Sequence, residues 1–275
     1  VATFHAHPHH LDPLLIHTAG LGIRGAALAT VISQGVAFGY GMFFVIRHRL
    51  APISWPTLPS WEETKRIFNL GIPSGLQMAV ISGGSAAIMS VVTSLGPDVV
   101  GGFGATQRID SVLMLPAQAL GIAVSSMAGQ NIGIRNWARV SQITRVGVLY
   151  NLALMIAVGL VIIALAEPIV KLFITNEASV DFAVTYLRII ALCFPFLGIN
   201  FVLNGIVRAS GAMYQVLVLN IISFWVLRYP LTLLFTRLLG ETGVAVGMGV
   251  SFMISSVFAF LYFRFGKWRE KHLFG

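Results

Sequence analysis

The sequence predicts an all-α, polytopic membrane protein with about seven transmembrane helices. Hydrophobic residues make up 56% of the 275 positions and charged residues only 10%, with a mean hydropathy of +0.84. A soluble domain usually carries about 25% charged residues. A membrane-spanning helix needs about 20 mostly apolar residues, because its backbone groups find no water inside the bilayer. Seven stretches meet this requirement: residues 21–46, 71–95, 99–126, 142–166, 183–207, 215–236 and 243–264.

The basic residues indicate how these helices are oriented. Twelve of the eighteen Lys and Arg residues follow the first, third, fifth and seventh stretches, and only three lie in the opposite connections. By the positive-inside rule, the C-terminus and the connection at 47–70 are cytoplasmic and the N-terminus faces outward. This topology accounts for the net charge of +8. The cell inner membrane is therefore the predicted location, its lipid bilayer is the predicted partner, and nucleic acid is not expected to bind.

The long connection between the first two stretches predicts a cytoplasmic linker over residues 51–66. Pro52, Pro56 and Pro59 prevent a continuous helix there. Ser60, with Glu63 three positions later, has the pattern of a helix N-cap and predicts a short amphipathic helix before the second stretch.

An internal repeat indicates that the helices belong to a repeated six-helix unit. The segment GIRGAALATVIS at 22–33 aligns with GETGVAVGMGVS at 240–251, with small residues at matching positions. Stretches two to seven then form one complete six-helix unit, and stretch one is the last helix of an earlier copy. Such an earlier copy would begin about 150 residues before Val1, so the chain is interpreted as truncated.

Ionisable residues inside the membrane are costly and are candidates for function. Asp110 and Arg228 each lie near the middle of a stretch and suggest either a structural ion pair or a role toward substrate or protons. Arg108, two residues before Asp110, cannot share its helical face. Gln77 and Gln107 are further candidates for lining a cavity between helices.

Three prolines, Pro73, Pro116 and Pro195, lie within predicted membrane helices. Each removes a backbone hydrogen bond and leaves a carbonyl free. Transporters use such breaks as hinges and as ligands for cations, whereas in other membrane proteins they are ordinary kinks. The sequence leaves both interpretations open.

Asp12 precedes Pro13, and Thr30 follows on the next helix. A carboxylate, a hydroxyl and a freed carbonyl form a set of oxygen ligands that suits sodium, and the carboxyl group also allows proton binding. The alternative is an Asp at the outer end of a helix. The four histidines of HAHPHH, residues 5–10, lack a second ligand cluster, so no metal site and no cofactor are predicted. The chain has no P-loop that would indicate an ATP-driven motor.

Six segments, taken in their order along the chain, resemble the multidrug and toxic compound extrusion (MATE) family of secondary transporters. They are LDPLLI, GLGIRGAALATVISQ, LGIPSGLQ, GFGATQRID, AGQNIG and NGIVRASGA, and the resemblance runs from Leu11 to about Lys271. It implies twelve helices in two six-helix lobes. Residues 1–10 then lie outside the family pattern, 11–50 are a remnant of the first lobe, and 67–275 are the second lobe.

The resemblance also implies a function, which is antiport of amphipathic or cationic drugs or metabolites against H⁺ or Na⁺ by a non-enzymatic protein, monomeric when full length. In many members the coupling site is similar to Asp12 and Thr30. This chain departs from the pattern at Pro8, where an Asn is expected, and at Ile81 and Ser82, where another branch places a Glu. An inactive truncated membrane fragment and a flippase for lipid-linked sugars are the alternatives.

Overall fold

The computed structural model describes residues 22–48 and 59–270, which are helical apart from short turns. The chain divides into two units, residues 1–61 and 62–275. The first unit contains α1 (Gly22–Arg47). The helices that follow are α2 (Trp61–Thr93), α3 (Pro97–Leu113), α4 (Leu115–Gly133), α5 (Trp137–Lys171), α6 (Glu177–Ala191), α7 (Phe194–Ala209), α8 (Met213–Ile221), a π-helical segment (Ile222–Arg228), α9 (Tyr229–Leu239), α10 (Thr242–Phe265) and a 3₁₀ turn (Lys267–Glu270).

The helices have the lengths and compositions of membrane spans. In the described ranges, α1, α2, α5, the continuous run Met213–Leu239 and α10 are each long and apolar enough to cross a bilayer. The helices α3 and α4 form a pair bent by 40°, and α6 and α7 a pair bent by 56°. Counting each bent pair as one span gives seven spans. The predicted all-α, polytopic fold is therefore confirmed.

The start of α2 differs from the sequence-based expectation. A short amphipathic helix and a separate membrane helix were predicted there, but α2 runs without interruption from Trp61 to Thr93. Between Pro59 and Pro73 the sequence contains no helix-breaking proline. Glu62 and Glu63 lie in the first turn, where negative charge interacts favourably with the helix dipole. The predicted amphipathic segment is consequently the first part of the second span.

Both bends occur just before a proline. Pro116 is the second residue of α4, and Pro195 is the second residue of α7. In the first turn of a helix the backbone N–H has no acceptor within the helix, so proline, which lacks this N–H, loses no hydrogen bond there. The proline ring also disfavours the helical conformation of the residue before it. The chain therefore ends one helix and starts another within the thickness of the membrane.

Small residues bring α9 and α10 close together. Gly243 and Gly247 lie four positions apart on α10, and both face the backbone of α9. A Cβ atom on Gly247 would lie only 2.5 Å from the Cα of Thr232. This spacing of small residues lets membrane helices approach closely and gain van der Waals contact. Ser251, one turn after Gly247 on α10, is also fully buried.

Buried polar contacts join the other helices of the second unit. Asn151 on α5 is completely buried, and its Nδ2 donates to the carbonyl oxygen of Ala117 on α4 at 3.1 Å. Phe103 of α3 meets Tyr186 of α6 edge to face, with ring centroids 5.6 Å apart. Trp268, just after α10, is fully buried and stacks on Phe263. The first two contacts join α5 to α4 and α3 to α6, and the third packs the turn after α10 against the end of that helix.

Candidate functional site: a cavity in the second unit

A cavity of about 560 Å³ opens among the helices of the second unit. Its volume lies within the range of about 300–1,000 Å³ that is typical of small-molecule sites. Its lining is mainly apolar, including Phe103, Phe224 and Phe252. Polar side chains face it from most of the surrounding helices: Gln77, Ser85, Gln107, Asp110, Tyr186, Asn200, Asn204, Arg208, Asn220, Ser223, Arg228 and Ser255. The combination suits an amphipathic molecule.

The two bent helix pairs pass the cavity at their bends. Met114, at the junction of α3 and α4, and Phe194, the first residue of α7, both line it. The third predicted hinge, Pro73, is buried within the continuous helix α2. There the Oγ of Ser74 donates to the carbonyl oxygen of Leu70 at 2.7 Å. Pro116 and Pro195 thus coincide with bends, whereas Pro73 does not interrupt its helix.

A π-helical segment, Ile222–Arg228, forms one wall of the cavity. The backbone N–H of Tyr229 donates to the carbonyl oxygen of Phe224, five residues earlier. Pro230 follows and has no N–H with which to continue an α-helical pattern. Segments of this kind are rare and are frequent at functional sites. The sequence-based reasoning did not predict it, although a proline in a membrane helix was a signal that could have been followed.

Arg228 ends the π-helical segment and is only 8% exposed. Its Nε donates to the Oγ of Ser251 at 3.3 Å. The guanidinium carbon lies 3.9 Å from the ring centroid of Phe224 and 4.5 Å from that of Phe252. Cation–π contacts of this kind stabilise a desolvated guanidinium group. Neutral and aromatic groups therefore hold the cation in place.

Asp110 of α3 lines the same cavity. Its Oδ1 is shielded from solvent and has no hydrogen-bond partner among the described residues. Among the described residues, Asp110 and Arg228 do not form the predicted ion pair. The physical reason is that Arg228 is directed toward Phe224, Phe252 and Ser251. Asp110 and Arg228 share a cavity without neutralising each other.

The remaining predicted residues of this group are divided between cavity and surface. Gln77 of α2 is buried and lines the cavity, and Gln107 lines it one helical turn before Asp110. Arg108 is exposed and is not among the residues that line the cavity. Successive helix positions are rotated by about 100°, so Gln107 and Arg108 cannot face the same side.

The structure does not test the predicted coupling pair of Asp12 and Thr30. Asp12 lies outside the described residues, and Thr30 is exposed on α1. Their association stays a prediction.

A polar row on α7 was missed from the sequence. Asn200, Asn204 and Arg208 recur at intervals of four and all line the cavity. The Nδ2 of Asn204 donates to the Oδ1 of Asn200 at 3.4 Å. The signal was available, because polar residues spaced by four lie on one face of an otherwise apolar helix.

A family model described as MatE matches residues 73–234, which is more than half of the chain. The chain belongs to the MatE family. The matched segment contains both Asp110 and Arg228, the two bends and the π-helical segment. MatE membership and the apolar helices together show a multi-pass membrane protein.

Two curated relatives illustrate the likeness to other MatE proteins. A Bacillus subtilis protein named "Probable multidrug resistance protein YpnP" is 55% identical over 264 residues, covering 96% of this chain and 59% of the relative. A Thermotoga maritima protein named "Probable multidrug resistance protein NorM" is 27% identical over 260 residues, covering 91% of this chain and 55% of the relative. The chain thus spans less than two thirds of the length of either protein.

A solved structure supports the fold. The Vibrio cholerae MATE transporter VcmN in the bent form matches with a TM-score of 0.87 at 22% identity, covering 97% of this chain and 60% of that chain. At this identity the likeness concerns the arrangement of the helices alone.

Proposed function

We propose that this chain is part of a secondary active transporter that exports amphipathic drugs or metabolites in exchange for H⁺ or Na⁺. The observation that carries the proposal is the cavity of about 560 Å³ in a membrane-spanning unit, lined by apolar side chains and by Asp110, whose Oδ1 has no hydrogen-bond partner among the described residues. MatE membership and the names of the two curated relatives support export as the direction of transport.

Coupling to an ion needs a carboxylate that borders a cavity inside the membrane. Asp110 is such a group in the described residues, and Asp12 with Thr30 is the second candidate. Intramembrane carboxylates of this kind act as proton relays or as ligands for cations in transporters. No other cofactor is proposed. The gradient of the coupling ion supplies the energy for transport, which other pumps obtain from ATP hydrolysis.

The distribution of basic residues supports an orientation in the cell inner membrane. Arg264 at the end of α10, together with Lys267 and Arg269 in the following turn, places a positive cluster at the C-terminal end. By the positive-inside rule this end is cytoplasmic.

Dye efflux from an efflux-deficient bacterial strain that expresses this chain tests the proposal. Three amphipathic dyes that differ in charge are compared: the cation ethidium, neutral Nile red and the anion carboxyfluorescein loaded as its ester. We expect at least one dye to leave faster than from cells with the empty vector, and we expect a protonophore or sodium depletion to abolish the difference. Efflux equal to that of the vector control for all three dyes would contradict transport by this chain.

The role of Asp110 is tested in the same assay with a matched pair of variants. Asp110→Asn removes the cavity carboxylate, whereas Asp98→Asn removes another carboxylate of α3, in its first turn. We expect the first variant to lose gradient-dependent efflux and the second to retain it. Full efflux by Asp110→Asn at normal expression would exclude Asp110 from coupling and leave Asp12, tested by Asp12→Asn, as the candidate.

A further inference from the structure

The cavity contains more positive than negative charge. Of the described residues that line it, Asp110 is the acidic one, and Arg208 and Arg228 are basic. Arg208 is exposed at the C-terminal end of α7, whereas Arg228 is buried. Two cations thus face the cavity with one anion. An entering organic anion lowers the electrostatic energy of this arrangement, and an entering organic cation meets an excess of like charge.

Arg228 has hydrogen-bonding capacity to spare. A guanidinium group carries five N–H donors in a planar fork. In the described part of the chain, only the Nε–H is engaged, with Ser251, and the terminal nitrogens Nη1 and Nη2 make no hydrogen bond. The fork formed by these nitrogens has the geometry that binds carboxylate, sulfonate or phosphate oxygens in pairs.

The surroundings of the fork hold it in one orientation. The guanidinium carbon lies over the rings of Phe224 and Phe252, and the Nε–H donates to Ser251. The Oγ of Ser251 in turn donates to the carbonyl oxygen of Met248 at 2.7 Å. Both rings also line the cavity, so they offer apolar surface to the body of a bound solute. An oriented donor group loses little entropy when it binds a ligand.

From these observations we infer that Arg228 is an anion-binding residue, and that the cavity accepts amphipathic organic molecules bearing a carboxylate, sulfonate or phosphate group. The inference rests on the proposed transport function and names its class of solute. The anionic group contacts Nη1 and Nη2 of Arg228, and the apolar body of the solute packs against Phe224 and Phe252. Organic cations are the poorer ligands of this cavity.

Calorimetric titration of the purified 275-residue chain in detergent tests the inference with three probes of one shape. These are naphthalene-1-sulfonate, naphthalene-1-sulfonamide and 1-naphthylmethylammonium, which are anionic, neutral and cationic. Titration into detergent alone corrects for partitioning. We expect the sulfonate to bind most tightly. Arg228→Gln should weaken it about 10- to 100-fold, the range that corresponds to loss of hydrogen bonds to a charged group, and should leave the sulfonamide nearly unchanged.

Two further variants separate charge from folding. Arg228→Lys keeps the charge but lacks the fork, so the sulfonate should bind with intermediate affinity. Asp110→Asn leaves Arg228 intact and removes the opposing charge, so it should strengthen sulfonate binding and weaken ammonium binding. The Asp110 variant therefore tests the inference even where Arg228→Gln fails to fold. An unchanged ratio of sulfonate to ammonium affinity in Asp110→Asn would count against it.

The outcomes distinguish this inference from the transport proposal. If the three probes bind equally and Arg228→Gln changes none of the affinities, the anion site is refuted and the cavity still binds amphipathic solutes. If the cation binds most tightly, the anion site is likewise refuted and cation export is favoured. If no probe binds, the cavity is not a solute site and both proposals lose their structural basis.

Discussion

Gly247→Ala should destabilise the protein, although alanine is the better helix former. The added Cβ would lie 2.5 Å from the Cα of Thr232 and 2.7 Å from its backbone nitrogen. Carbon atoms are in favourable contact at about 3.5–4.0 Å, so α9 and α10 must separate by about 1 Å. Overpacking of this kind costs about 1–3 kcal/mol, which exceeds the gain of about 1 kcal/mol from replacing a helical glycine.

Gly104→Ala is the matched control, because a Cβ there meets no atom within 4 Å. This variant keeps the propensity gain without the steric cost. The measurement is equilibrium unfolding in mixed micelles by added SDS, followed by circular dichroism. We expect Gly247→Ala to fall below the wild type by up to about 2 kcal/mol, the steric cost less the propensity gain, and Gly104→Ala to equal or exceed the wild type. A Gly247→Ala protein as stable as the Gly104→Ala protein would refute the close approach of α9 and α10.

Two further predictions concern buried contacts and use the same unfolding assay. Asn151→Ala removes the bond to the Ala117 carbonyl and should cost about 1 kcal/mol, the typical worth of a polar contact between membrane helices. Asn131→Ala removes an exposed bond within α4 and should change stability by less than about 0.5 kcal/mol. Trp268→Ala empties a fully buried site and should cost about 3–5 kcal/mol, whereas Phe265→Ala, 74% exposed, should be nearly neutral. Equal losses within either pair would contradict the burial on which that prediction rests.

The spans could be predicted from the sequence because hydropathy is a local property that adds up along a helix. Seven apolar stretches matched five single helices and two bent pairs, and each bend lay just before Pro116 or Pro195. The helix start after Ser60 was predicted from the N-cap pattern, but the continuation of that helix without a break into the second span was not. The predicted linker, residues 51–66, was expected to end in a short separate helix, but no proline lies between Pro59 and Pro73 to separate that helix from the span.

The contacts of the cavity could be predicted only in part. The burial of Arg228 and the partial burial of Asp110 follow from their positions in apolar stretches, but the absence of a direct ion pair between them does not. Whether two intramembrane charges meet depends on the rotation of each helix about its axis, which local sequence does not fix. Here the π-helical segment sets the direction of Arg228, and Phe252 and Ser251 come from α10, more than twenty positions away.

The separation of Asp110 and Arg228 carries a cost that calls for a functional explanation. Two opposite charges buried in one unit are most easily accommodated as a hydrogen-bonded pair, since an unpaired charge at bilayer depth is expensive. The chain instead directs Arg228 toward two aromatic rings and a serine hydroxyl, and leaves Asp110 Oδ1 without a partner among the described residues. A fold that served stability alone would join the two side chains. Keeping both directed at a cavity of small-molecule size is the arrangement expected when solute and coupling ion complete their contacts.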